Sequence, residues 1–167
     1  MKKALPVVSM LLLLLTSCGE LNDSEKIIRI AEKDMVEYLK SQGGYWGSGF
    51  SPRTKDFNKD GKTDVLIHLA KSSELCTFEG CPLLVYENEG RKLRRIAAIR
   101  NVKEYLGQRD SESGWSTFLV TSGDLEKQAE GAKDPRSQYE LVYEDGYPED
   151  ATQGRHIRTA EIFSDYL

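Results

Sequence analysis

Asp64-Val65-Leu66-Ile67-His68-Leu69-Ala70 is the stretch whose reading decides the fold. Side chains along a strand alternate between two faces, and here Val65, Ile67 and Leu69 oppose Leu66, His68 and Ala70. The segment reads as a strand that is largely apolar on both faces, and it marks where the chain changes from a helical to a β pattern. Upstream, Ile27, Ile28, Ala31, Met35, Tyr38 and Leu39 recur at helical spacing. Asn22 with Glu25 three residues later matches a capping box, and Gly43-Gly44 stops the run, so one amphipathic helix is expected from Asp23 to Ser41.

Downstream the β pattern persists. Pro82 to Glu87 reads as a second strand, Asn88-Glu89-Gly90 as a turn and Lys92 to Ile99 as the return strand of a hairpin. Gly114 to Thr121 and Tyr139 to Tyr143 read as two more strands, and polar Ser122 to Arg136 as a surface loop between them. Ser51-Pro52-Arg53-Thr54 reads as exposed chain. In the tail after Asp150, Ile157, Ile162, Phe163, Tyr166 and Leu167 suggest a short final helix. The class is α+β: one N-terminal helix packed on a mainly antiparallel sheet, with residues 23–167 as a single globular domain.

The first residues are of a different kind. Met1-Lys2-Lys3 precedes a mostly apolar run from Ala4 to Leu15, too short for a permanent bilayer span, with a small-residue exit at Thr16-Ser17. This describes a secretory signal over residues 1–17. Because Leu15-Thr16-Ser17 is followed by Cys18, the segment resembles a bacterial lipoprotein signal with its lipobox. The resemblance implies cleavage before Cys18 and its modification by acyl chains of the palmitate type, which hold far better in numbers than singly. The other reading is an ordinary signal peptide with a chance cysteine. Gly19 rather than Asp follows Cys18, which by the same resemblance sends the protein of a diderm host to the outer membrane, facing the periplasm. Residues 18–22 then form a short lipidated tether.

The full chain of 167 residues carries a net charge of -4, and loss of Lys2 and Lys3 makes the mature part more acidic. A diffuse acidic balance argues against nucleic acid and against an electrostatic grip on anionic lipid. Membrane attachment must then come from the lipid on Cys18. Of the three cysteines, Cys76 and Cys81 remain, and an exported protein meets an oxidising compartment that favours a disulfide between them. The loop Thr77-Phe78-Glu79-Gly80 is small, so such a bridge shapes a loop more than it holds a domain. A redox or metal pair is the alternative, with C-x4-C and no nearby His making a poor zinc site.

One constellation carries chemistry. Asp56-Phe57-Asn58-Lys59-Asp60-Gly61-Lys62-Thr63-Asp64 sets oxygen side chains at alternating positions around a glycine. Calcium wants six to eight oxygens, and Asp56, Asn58 and Asp60, the Lys62 carbonyl and Asp64 could supply them, with Gly61 allowing the sharp turn. An EF-hand needs Glu at loop position twelve, where this chain has Ile67. The stretch more closely resembles the D-x-[DN]-x-D-G-x-x-D calcium loops of FG-GAP and VCBS-type repeats, whose last acid leads into a strand. The plain alternative is a tight Asp60-Gly61 turn with solvated acids beside it.

More broadly, this loop, the Cys76 to Cys81 bracket running into Pro82-Leu83-Leu84-Val85-Tyr86, Gly114-Trp115 and Tyr143-Glu144-Asp145-Gly146-Tyr147 resemble a group of small bacterial envelope proteins. That group supplies no reaction to carry over. His68, inside an apolar strand, reads as a packed or edge residue, and Tyr45, Trp46 and Phe50 as packing against the helix. The sequence therefore points to a non-catalytic, lipid-anchored envelope module with a structural calcium loop and a protein or glycan partner. Two alternatives stand beside it: an inhibitor or immunity-type binder of a wall-degrading enzyme, inserting Phe78 and Glu79, and a hydrolase working with acidic residues.

Overall fold

The computed structural model describes residues 22–44, 49–70, 74–111, 114–132 and 136–157. The signal segment, Cys18, most of the tether, Tyr45, Trp46 and the tail carrying Ile162, Phe163, Tyr166 and Leu167 lie outside the described residues. The class is α+β, as the sequence pattern predicts.

Helix α1 covers Asp23–Ser41. Its capping box forms: the Glu25 N–H donates to Asn22 Oδ1 at 2.8 Å and the Asn22 N–H to Glu25 Oε2 at 3.3 Å. Gly43, at φ +77°, takes the left-handed position after the helix that a Cβ would strain. Eight strands follow: β1 (Phe50–Lys55), β2 (Asp64–Leu69), β3 (Cys81–Asn88), β4 (Leu93–Val102), β5 (Glu104–Arg109), β6 (Thr117–Gly123), β7 (Arg136–Leu141) and β8 (Arg155–Ile157). They form not one sheet but two, in orders β1-β2-β3-β4 and β5-β6-β7-β8, and every strand pairing within them is antiparallel.

The two apolar faces of β2 explain this architecture. Val65, Ile67 and Leu69 pack with Leu84 and Tyr86 against Ala31, Met35 and Leu39 of α1. Leu66 points the other way, joining Leu83, Val85 and Ile99 against Phe118, Val120 and Leu141 of the second sheet. The order of layers is therefore helix, first sheet, second sheet. Each fully buried Leu, Ile or Phe contributes about 1.5–3 kcal/mol of hydrophobic stabilisation, so a central strand apolar on both sides ties three layers together. Asn101, at φ +61°, marks the irregularity where β4 leaves the first sheet and the chain turns into β5 of the second.

Several expectations are corrected. Ser51-Pro52-Arg53 is exposed as expected, but with Thr54 it belongs to β1, paired with β2 from Lys55↔Asp64 to Phe50↔Leu69. As an edge strand, β1 tolerates Pro52, because a missing N–H costs nothing on the unpaired side. The Ser122 to Arg136 stretch is not simply a loop: β6 runs through Gly123, and Asp124 caps a short helix α2 (Leu125–Ala129). Ile157 lies in β8 against Gln138 of β7.

A candidate metal loop and the two poles of the domain

The Asp56–Asp64 segment turns tightly between β1 and β2, with Lys59 at φ +61° and Gly61 at φ +84°. Its side-chain oxygens fold inward onto its own backbone. Asp56 accepts from the Asp60 N–H at 3.1 Å and from the Gly61 N–H at 2.8 Å. Asn58 Oδ1 accepts from the same Asp60 N–H at 3.1 Å. Asp60 accepts from the Lys62 N–H at 2.9 Å, and its other oxygen meets the Lys62 ammonium at 2.7 Å. That ammonium, first through its hydrogen bond, holds the Asp60 carboxyl below its ordinary range.

Asp64 is different in kind. It is wholly buried and accepts from the Phe57 N–H at 3.0 Å and the Asn88 N–H at 2.8 Å. One carboxylate thus staples the loop, the start of β2 and the end of β3. Burial raises its pKa, the two N–H donors pull it back, and the charges of Asp60 and Asp56 raise it further.

As calcium ligands these residues fit in part. Asp56, Asn58 and Asp60 are hard oxygen donors gathered on one turn, and Asp64 feels the charges of both neighbouring acids. Among the described residues no three His, Cys, Asp or Glu side chains converge as a metal-holding group. Asn58 and the Lys62 carbonyl, which the calcium reading also uses, are not of those types. A cation would have to displace the Lys62 ammonium from Asp60, and Asp64 has both oxygens engaged by backbone.

Around this loop the chain gathers two of the other segments that the sequence singles out. The Ser116 N–H donates to the Phe57 carbonyl at 2.7 Å, which brings Gly114-Trp115 beside the loop. Phe57 meets Phe118 edge-on at 5.4 Å, Tyr147 stacks on Phe118 at 4.7 Å, and half-buried Trp115 stacks on Tyr143 at 5.3 Å. The Tyr147 hydroxyl donates to the Ser116 carbonyl, and burial pushes its pKa up. Phe57 is the shared anchor of loop and aromatic cluster.

The cysteine bracket lies elsewhere. β3 begins at Cys81 and ends at Asn88, whose N–H meets Asp64. Seven strand rises separate the two, about 23 Å, so the acidic loop and the bracket occupy opposite poles. Cys76 and Cys81 are joined as a disulfide, with Cα atoms 4.1 Å apart. The loop they close is fastened on all sides. The Thr77 N–H donates to the Gly80 carbonyl, the Gly123 N–H to the Glu79 carbonyl, and Thr77 Oγ1 to Asn101 Oδ1. A Cβ on Gly80 would sit 2.3 Å from the Val102 carbonyl carbon, and one on Gly123 would sit 2.7 Å from the Phe78 carbonyl oxygen. Phe78 is 37% exposed, its ring covered by the Lys103 ammonium at 4.5 Å. Rather than projecting freely, it forms the wall of a shallow cavity of about 270 Å³ with Thr77 and Lys103.

His68 is half-buried, with Nε2 2.8 Å from the Val102 carbonyl at the corner between the sheets. Burial lowers its pKa. Phe50 is partly buried against the helix-side core. One feature had no sequence signal. Glu140 of β7, 98% buried, is clamped by Arg109 at 2.9 Å and by Arg155, on the floor of an open cavity of about 540 Å³. Val142, Glu144, Asp145 and Pro148 line its walls. Only strand pairing brings these three charged residues together.

No helix among the described residues is long and apolar enough to cross a membrane. Compared with protein families, curated proteins and solved structures, the chain matches none.

Proposed function

We propose that this protein is an exported envelope lipoprotein, anchored through Cys18, whose domain acts as a non-catalytic binding or accessory module. The observation that carries the reading is the Cys76–Cys81 disulfide joined to the signal-and-lipobox segment. A disulfide between the two cysteines left after lipidation belongs to an oxidising compartment, which is where such a signal sends a chain. The disulfide loop, pinned between Val102 and Gly123, is a rigid element of the kind that loses little entropy on binding.

Calcium is part of the proposal as a structural staple. Asp56, Asn58, Asp60, the Lys62 carbonyl and Asp64 would hold it, and its charge would offset the acidity of the loop. The residence proposed is the outer membrane, facing the periplasm, with an envelope protein or glycan as partner. Mass spectrometry of protein from the envelope fraction tests the core of this reading. The expected result is a mature N-terminus at Cys18 carrying acyl chains, with Cys76 and Cys81 two hydrogens short of free thiols. An unmodified Cys18 in mature protein overturns it.

A second reading, the inhibitor of a wall-degrading enzyme, is favoured by one detail: Phe78 and Lys103 form a preorganised aromatic-cationic rim at the disulfide pole. Tight binding to a muramidase or amidase, lost in Phe78→Ala, supports it. Turnover of peptidoglycan by the purified protein overturns both readings in favour of a hydrolase.

A further inference from the structure

Composition averages charge over the surface, whereas the fold sorts it. At 100° per residue, the α1 face opposite Ala31 and Met35 presents Lys26, Arg29, Ile30, Lys33, Glu37 and Lys40, with Asp23 at its margin, all exposed. Four of these seven are cationic and two, Asp23 and Glu37, are acidic, in a chain whose net charge is -4. Asp23 pairs with Lys26 at 3.3 Å. Ile30, 52% exposed, sits among the cations. This basic stripe runs from Lys26 to Lys40, about 21 Å along the 19-residue helix.

The stripe begins close to Cys18. Four peptide steps from Cys18 to the Asn22 cap reach at most about 14 Å. A lipid on Cys18 therefore holds the start of α1 within that distance of the headgroups. We propose that α1 lies along the bilayer, with Lys26, Arg29, Lys33 and Lys40 toward anionic phospholipid headgroups and Ile30 at the interface. The proposal rests on the lipid-anchored reading above. The stripe need not bind membrane unaided. The anchor has already confined the domain, so a few cations have only to choose which side faces down.

The layer order gives the consequence. With α1 against the lipid, the first sheet lies above it and the second sheet is outermost. Leu141 of β7 faces the first sheet, so Glu140, its neighbour in the strand, is turned to the outer side.

Lysine acetylation of the full lipidated protein, read by mass spectrometry, tests this without new cysteines. The protein is placed in vesicles of phosphatidylcholine alone or with one third phosphatidylglycerol. At low salt, Lys26, Lys33 and Lys40 are expected to label about fivefold more slowly in the anionic vesicles, with Lys127 unchanged. High salt should erase the difference. The triple variant Arg29→Gln, Lys33→Gln, Lys40→Gln should restore labelling of Lys26. Equal labelling of the α1 lysines in both vesicles, or protection of Lys127 instead, overturns the orientation while leaving the anchor standing. Absence of acyl chains on Cys18, read from the same spectra, overturns the anchor itself.

Discussion

Asp64 and Asp60 stand four residues apart in the same acidic loop and do opposite work. Asp60 is solvated and paired with the loop's own Lys62, whereas Asp64 is buried and accepts from two backbone N–H groups. Leaving a buried donor unpaired costs about 1–3 kcal/mol. Asp64→Ala should therefore lower stability by about 2–6 kcal/mol in a urea melt, and Asp60→Ala by far less, because solvent screens its pair with Lys62. If both cost the same, the distinction between staple and solvated acid is wrong. His68 supports a pH prediction. Burial lowers its pKa below the ordinary 6.5, so the unfolded chain binds a proton more readily than the folded one. Its contribution is complete above about 6.5 and is lost as pH falls toward and through the lowered folded value. His68→Gln, which keeps a donor for the Val102 carbonyl, should flatten the stability profile between about pH 7.5 and 5.5. A profile unchanged by the substitution would sink the assignment.

At the scale of elements, the disulfide loop is held by its neighbours as well as by its bond. Losing a bridge that closes so small a loop costs about 2 kcal/mol in chain entropy. Gly123→Ala meets backbone of the loop at 2.7 Å and should cost about 1–3 kcal/mol by overpacking. It should also speed amide exchange at Gly80 and Glu79 while leaving α1 unaffected. Exchange altered equally in α1 would mean that the loop is not a separate element. The same scale shows why sequence reading stopped where it did. Helix α1 was legible to its ends because cap, period and glycine stop all lie within one local stretch. β1 and β5 were not legible. Ser51-Pro52-Arg53-Thr54 and Glu104 to Arg109 lack a clear alternation, and they are strands because β2 and β6 offer them paired edges.

At the scale of the molecule, calcium offers the broadest test of the acidic loop. An ion that binds only the folded form at 100 times Kd stabilises it by about 2.7 kcal/mol, which moves a melting midpoint by several degrees. Protein stripped of metal should show this shift with calcium and a smaller one with magnesium, which demands a tighter octahedral shell. Asp60→Ala should abolish it. A melting curve unmoved by calcium in the wild-type chain would leave the loop as a self-bonded turn whose cation is Lys62.

Sequence alone determined what is encoded locally: the capped helix, the hairpin of β3 and β4, the cysteine pair and the acidic loop. Each rests on neighbours within a few residues, whose chemistry is readable in order. Tertiary structure decided what depends on partners far along the chain. The split into two sheets follows from β2 burying both faces, one under Met35 and Leu39 and the other against Phe118 and Val120. Asp64 became a staple because Asn88, remote in sequence, folds back to donate to it. Glu140 found its two arginines only through strand pairing, and the loop and the cysteine bracket were set at opposite poles by the length of β3. Periodicity tells which face of a segment is apolar. Only packing tells what covers it.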